Sequence, residues 1–177
     1  QTSYGVNNVA LVNGRPQTLN LKQLIEEFIK FRIEVVVRRT QYDLKKAEER
    51  AHILEGLIIA IDNLDEVIKI IRSSKTVDEA RERLIKAFSL SEIQAKAILE
   101  MRLAKLVSLE MNKLRNEYEE LKTKIEDYKD IIASESRQRT IIKEELAELK
   151  EKYGDERRTE ISYADGEINI EDMIPNE

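Results

Sequence analysis

The chain has 177 residues, of which 41% are hydrophobic and 37% are charged, whereas an ordinary globular domain has about 25% charged residues. With only 5 Gly, 2 Pro and no Trp, this composition favours long, solvent-exposed helices over a compact sandwich or barrel. The net charge of −5 argues against a nucleic-acid-binding surface made by the chain as a whole, although it leaves room for local basic patches. The lack of cysteine excludes disulfides, thiolate nucleophiles and cysteine zinc sites.

The longest apolar run is Leu57–Ile61, far short of the about 20 residues that a membrane span requires. We therefore expect a cytoplasmic protein without a membrane segment. The chain opens at Gln1 and passes at once into β-forming residues, which indicates a piece of a longer protein.

The first predicted element is a strand within Tyr4–Val12, which ends at the turn signal Asn13–Pro16. A few extended residues follow the turn. Because an isolated hairpin is marginally stable in water, we expect these strands to belong to a sheet completed by residues outside the chain.

A long helix is predicted to begin at Asn20, which is a good N-cap residue. Apolar residues recur every three or four positions over Leu21–Val35 and again, in another phase, over Ile33–Ile61. The change of phase predicts a bend or break near Phe31–Ile33, followed by a helix over residues 33–62.

A second apolar seam with the same spacing begins at Met111. Its register places Glu135 and Arg139 at seam positions, which predicts a joint at Ala133–Ser136, and Gly154 is expected to end the helix in the left-handed conformation. Because the high charge content leaves little apolar surface to bury elsewhere, an antiparallel coiled coil is favoured over two separate helices on a globular body. The predicted seam residues are Val37, Leu44, Ala47, Ala51, Leu54, Leu114, Tyr118, Leu121, Ile125 and Tyr128.

Residues 63–107 are far more than a return loop needs, and two capping boxes, Thr76–Glu79 and Ser91–Gln94, mark helix starts within them. The fold class is therefore mainly α: a long antiparallel coiled-coil arm with a small helical knob, plus a short N-terminal β segment from a truncated neighbouring domain. The helices predicted in the knob are Glu66–Arg72, Val77–Phe88 and Glu92–Ala104.

No complete catalytic or metal site is visible in the sequence. His52 lies between Glu48 and Glu55 without a second histidine, which favours a structural role. The basic pair Arg38–Arg39 allows a nucleic-acid contact, but ion pairs with the facing acidic arm are favoured, and the same holds for Arg157–Arg158. None of the six tyrosines follows an arginine.

Five segments in order along the chain resemble the A subunits of bacterial type IIA DNA topoisomerases. Ile170–Pro175 is more similar to the gyrase branch of that family than to the topoisomerase IV branch, while Phe31 and Val107–Ser108 depart from the common pattern of His and Thr-Gly. The five segments are Thr2–Leu11, Val35–Thr40, Arg50–Leu57, Gln94–Leu103 and Tyr153–Ile161.

The resemblance implies the exit gate of such an enzyme. Two A subunits would meet through their knobs, enclose a cavity that duplex DNA crosses, and join two B subunits in a heterotetramer. The catalytic tyrosine would lie upstream of Gln1, ATP and Mg would bind the B subunit, and no cofactor would bind this chain. The expected division is residues 1–20 for the β end of the DNA-gate region, 21–62 for the linking helix and descending arm, 63–107 for the knob, 108–153 for the returning arm, and 154–177 for the tail.

The knob is expected to form an isologous two-fold interface. Two other hypotheses are the same region of topoisomerase IV and an independent coiled-coil module that clamps a protein or nucleic acid. The module would require a basic stripe, whereas Lys and Arg alternate with Glu along both arms. The predicted interface residues are Ile58, Ile61, Leu64, Ile68, Ile98, Met101 and Leu103.

Overall fold

The computed structural model of the chain describes residues 4–161, except for the side chain of Leu103. The predominance of helix beside one small antiparallel sheet confirms the predicted fold class. The chain divides into two compact units, residues 1–143 and 144–177, which are described separately. The elements are β1 (Asn8–Val12), β2 (Arg15–Leu19), α1 (Leu21–Asp62), α2 (Leu64–Ser73), α3 (Val77–Phe88), α4 (Glu92–Glu100), α5 (Leu103–Ser108), α6 (Met111–Ala133) and α7 (Glu135–Tyr153).

The N-terminal hairpin pairs β1 with β2 in antiparallel register, so that Val12 lies opposite Arg15. The two turn residues both have positive φ angles, 51° at Asn13 and 76° at Gly14. This is the backbone of a tight hairpin turn, and Asn-Gly is the dipeptide that adopts it most readily. The turn signal in the sequence is therefore confirmed, although β1 begins at Asn8.

Helix α1 begins with a full capping box, because Gln23 N donates to Asn20 Oδ1 at 2.8 Å and Asn20 N donates to Gln23 Oε1 at 3.0 Å. It continues unbroken for 42 residues, about 63 Å at 1.5 Å per residue. The break predicted near Phe31–Ile33 is wrong. No proline interrupts the backbone hydrogen bonds there, and the large apolar residues of the first phase stay partly open to solvent, with Leu21 71%, Phe28 46% and Phe31 59% exposed.

Helices α1 and α6 lie side by side and antiparallel over the second half of α1. Salt bridges at the edges of the pair record this direction, because Asp62 at the end of α1 meets Arg115 near the start of α6, whereas the earlier Glu48 meets Lys129 near the end of α6. The pairs are Arg50 Nε with Glu117 Oε1 at 2.9 Å, Arg115 Nη2 with Asp62 Oδ1 at 3.4 Å, and Lys129 Nζ with Glu48 Oε1 at 3.9 Å. All three pairs are solvent-exposed, so we expect each to contribute no more than about 1 kcal/mol and the apolar seam to supply most of the stability.

Helices α2, α3 and α4 follow α1 and form the knob. Helix α3 has the predicted bounds. The predicted Ser91–Gln94 capping box at the start of α4 is complete. The box predicted at Thr76–Glu79 is not complete, because the carboxylate of Glu79 accepts from Lys75 N instead of from Thr76 N. The single helix predicted over Glu92–Ala104 is wrong. Met101 adopts an extended conformation (ψ 132°) that ends α4 at Glu100, and a separate short helix, α5, follows.

The joint predicted at Ala133–Ser136 is confirmed, because α6 ends at Ala133 and α7 begins at Glu135. Ser134 between them is extended, with φ −119° and ψ 107°. Beside the joint, Val36 of α1 packs with Ile131 and Ile142 in a small second apolar cluster within the first unit.

The second unit contains the last turns of α7 and an irregular segment that is described as far as Ile161. Leu149 and Tyr153 are exposed on its surface. The left-handed cap expected at Gly154 is wrong, because its φ is not positive. Glycine is needed there for a different reason: an added Cβ would collide with the carbonyl oxygen of Lys150.

Candidate functional site

The knob is held together by a compact apolar core that joins α1 to the three knob helices. Its buried members come from α1, α2, α3, α4 and α6 and from Leu90 between α3 and α4, and most are less than 5% exposed. This core fixes the knob to the end of the arm. The most deeply buried members are Leu54, Ala60, Val67, Leu84, Ala95 and Ile98.

A polar contact locks α4 against α1 beside this core. Ser91 Oγ lies 2.6 Å from His52 Nε2, and Gln94 Nε2 donates to the carbonyl oxygen of His52 at 2.7 Å. Gly56 makes the close approach possible, because a Cβ there would lie 2.8 Å from Gln94 Cβ. This placement agrees with the structural role expected for His52.

The knob surface carries an apolar groove of about 210 Å³ between α2 and the end of α4. Ile68 is half-buried and contributes to the groove without packing on the core. An isoleucine that stays partly exposed among other apolar side chains of such a groove suits contact with another surface. The groove is lined by Ile68, Ile71, Arg72, Ile98, Leu99, Met101 and Leu106.

The structure divides the seven predicted interface residues into groups. Ile68 and Met101 are half-buried and share the groove with Ile98, but Ile98 is only 1% exposed and belongs to the core. Ile98 therefore stabilises the knob itself. Ile58 lies in a different depression, beside Tyr118 of α6.

The three remaining members of that set are more peripheral. Ile61 is half-buried and packs against the core, and Leu64, also half-buried, begins α2. Leu103 begins α5, but its side chain lies outside the part of the chain that the structure describes. Only part of the predicted set is thus available at the surface around one groove.

Three exposed apolar residues of this region were not among the interface residues predicted from the sequence. Val77 is 70% exposed, Ile93 is 62% exposed and Val107 is 60% exposed. Val77 directly follows the cap residue Thr76 of α3, and Ile93 is the second residue after the cap residue Ser91 of α4. An apolar residue in the first turn after a cap residue was the available signal.

The ten predicted seam residues lie along the paired faces of α1 and α6 with unequal burial. Four are buried and six are half-buried, which is typical of a two-helix contact with an open edge. Buried are Ala47, Ala51, Leu54 and Leu114; half-buried are Val37, Leu44, Tyr118, Leu121, Ile125 and Tyr128.

Polar side chains hold the joint between α6 and α7. Gln138 is 5% exposed, and its Nε2 donates to the carbonyl oxygens of Ile131 and Ile132 at 2.9 and 3.1 Å. These carbonyls have lost their helical partners at the end of α6, and leaving such groups unpaired when buried costs about 1–3 kcal/mol. The sequence offered no signal for Gln138.

Arg137 of α7 also spans the joint. Its guanidinium nitrogens lie 2.5 Å from Asp130 Oδ2 and 2.5 Å from Asp127 Oδ1. Its hydrogen bonds to the carboxylates of Asp130 and then Asp127 raise the pKa of Arg137 above its ordinary value. The first turn of α7 is thereby tied to the last turns of α6.

Within residues 4–161, no three His, Asp or Glu side chains are grouped so that they would hold a metal ion. Over the same residues, no helix has the length and apolar character of a membrane span.

The comparisons with known proteins agree with a helical arm that bears a knob. They also agree with the five segments that resemble type IIA topoisomerases in the same order along the chain. The family profile that describes the A subunit of DNA gyrase/topoisomerase IV matches residues 1–147. The chain belongs to this family.

Similar proteins from several bacteria are named as the A subunit of DNA gyrase. The chain is 51% identical to that of Clostridium acetobutylicum, 53% identical to that of Ureaplasma parvum and 49% identical to that of Mycobacterium tuberculosis. Each alignment covers 100% of the chain and 21% of the relative. The chain thus spans about a fifth of the length of these relatives. Ile170–Pro175, which suggested the gyrase branch, lies outside the described residues.

Proposed function

We propose that this chain forms the exit gate in the A subunits of a type IIA topoisomerase of the gyrase type. Two copies meet through their knobs and separate to release a transported DNA duplex. The observation that carries the proposal is the apolar groove around Ile68 and Met101, at the end of a long helical arm. Half-buried apolar side chains in that position suit a contact that forms and opens.

The rest of the complex follows from family membership and is part of the same proposal. The complete enzyme contains two A and two B subunits in the cytoplasm and uses ATP and Mg bound to the B subunits to change DNA topology. The same region of topoisomerase IV is the second candidate, because the matching family profile covers both enzymes.

The arm supports this role through stiffness. Helix α1 runs unbroken for 42 residues, and α6 supports its second half, so a force applied at one end reaches the knob. The joint at Ser134 is the one interruption along α6 and α7, and its polar contacts restrain its angle.

A gate that opens in each cycle requires an interface of limited size. We expect about 1,000–2,000 Å² of buried surface, within the range of stable but separable protein contacts. Sedimentation equilibrium of the 177-residue chain at micromolar concentration tests the proposal. We expect a monomer–dimer equilibrium dominated by dimer, and a monomer at all concentrations would refute it.

A further inference from the structure

The face of α1 that points away from α6 carries a short basic strip, formed by Arg38, Tyr42, Lys45 and Lys46. Buried residues of α1 include Val36, Thr40 and Ala47. Arg38 and Tyr42 follow the first two by two positions, and Lys45 precedes the third by two. Two positions correspond to about 200° around a helix, which places these side chains opposite the buried face.

The charges in this strip are largely unpaired. Among the described residues, neither Arg38 nor Lys45 takes part in an ion pair, whereas further along α1 Arg50 does pair across to α6. For Arg38, the expected ion pair with the facing acidic arm is therefore wrong, because its side chain lies on the other side of the helix. Lys46 is 3.6 Å from Glu49, but both side chains are more than half exposed, so this pair is weak.

An aromatic ring stands in the middle of the strip. Tyr42 is 62% exposed, and the Lys46 ammonium lies 5.6 Å from the centre of its ring. The ring holds the lysine in place through a cation–π contact and leaves its own hydroxyl at the surface. Because cations and a tyrosine ring are exposed side by side, the strip suits a ligand whose oxygens accept hydrogen bonds from ammonium, guanidinium and hydroxyl groups.

We propose that this strip contacts the phosphate backbone of duplex DNA. Its length from Arg38 to Lys46 is about 12 Å along the helix, which matches three to four phosphates of one strand at about 3.4 Å each. Phosphate oxygens accept from guanidinium, ammonium and tyrosine hydroxyl groups alike. The inference rests on the proposed function for the choice of DNA among polyanions.

We expect the contact between this strip and DNA to be weak. The strip holds only three cations, and Glu34 and Glu49 bound it at its two ends. Neutralising three phosphates gives modest affinity that falls steeply with salt. A weak contact that does not recognise the base sequence suits a duplex that passes along the arm. A tight contact would hold the duplex on the arm.

The test compares the 177-residue chain with Arg38→Gln/Lys45→Gln/Lys46→Gln by fluorescence anisotropy with a short labelled duplex. The matched control, Lys69→Gln/Lys122→Gln/Lys124→Gln, removes the same charge from lysines outside the strip. We expect the strip variant to lose about tenfold or more in affinity at about 50 mM salt, with a salt slope lower by two to three. The control should stay within about twofold of the unmodified chain.

Equal losses in the two triple variants would overturn the inference, because binding would then reflect net charge alone. No binding by the unmodified chain, or equally strong binding of polyglutamate, would also overturn it. Sedimentation of the same samples separates the two proposals. If the chain forms a dimer but does not bind DNA, only the proposed DNA contact of the strip is refuted. If the chain stays monomeric, only the exit-gate assignment is refuted.

Discussion

Met101→Asp is expected to convert the dimer into monomers by weakening association at least about 100-fold. Met101 lines the groove at the end of α4 and is half-buried in the isolated chain. An isologous interface brings each residue close to its symmetry counterpart or to a fixed partner, so one substitution acts twice in every dimer. Burying an unpaired carboxylate costs several kcal/mol, enough for the expected loss.

Sedimentation equilibrium measures this effect directly, and Leu149→Asp is the matched control. Leu149 is also apolar and is 53% exposed, but it belongs to α7 and not to the knob. Circular dichroism of each variant records whether the helices persist. A dimer that survives Met101→Asp with its helices intact would place the interface elsewhere on the chain.

Gly56→Val is expected to lower the free energy of unfolding by about 3 kcal/mol. Even the first added carbon would lie 2.8 Å from both Cβ and Cγ of Gln94. Gln94 cannot move aside cheaply, because it is 5% exposed and its amide is bonded to the His52 carbonyl. Valine has a better helix propensity than glycine, but this gain is below about 1 kcal/mol and does not offset the clash.

Urea unfolding at a fixed protein concentration checks this prediction, since a dimer makes stability depend on concentration. Gly5→Val serves as the control, because no atom lies within 4 Å of the added carbon there. If the two variants were equally stable, the close contact between α1 and α4 would not be a feature of the folded chain.

Local signals in the sequence were the most informative about the fold. Asn13–Gly14, Asn20 and Ser91 each set the backbone through their own φ preference or side-chain hydrogen bond. The joint at Ser134 was also visible, because charged residues occupied the seam positions next to it. Features that depend on neighbours within about four residues could be predicted.

Features that depend on distant partners could not be predicted. Apolar spacing changed near Phe31, yet a helix without an interrupting residue continues and simply presents another face. In the knob, spacing alone did not separate core from surface. Ile98 and Met101 are three positions apart on or beside α4, but one is fully buried and the other is half-buried.

The candidate site shows the same limit. The sequence located the knob and several of its apolar residues, because their density exceeded what short helices need. It did not identify the exposed Val77 and Ile93, nor the buried amide of Gln138 that caps the end of α6. Those roles depend on which element lies opposite, and spacing along one helix carries no such information.

The central claim is that two copies of the chain meet through the knob, and disulfide cross-linking tests it most directly. The chain has no cysteine of its own, so Ile68→Cys, Leu99→Cys and Met101→Cys each introduce a single thiol near the groove. We expect at least one of the three to form a covalent dimer rapidly under mild oxidation, while Leu149→Cys cross-links slowly. If none of the three cross-links faster than Leu149→Cys, the groove is not where the two copies meet.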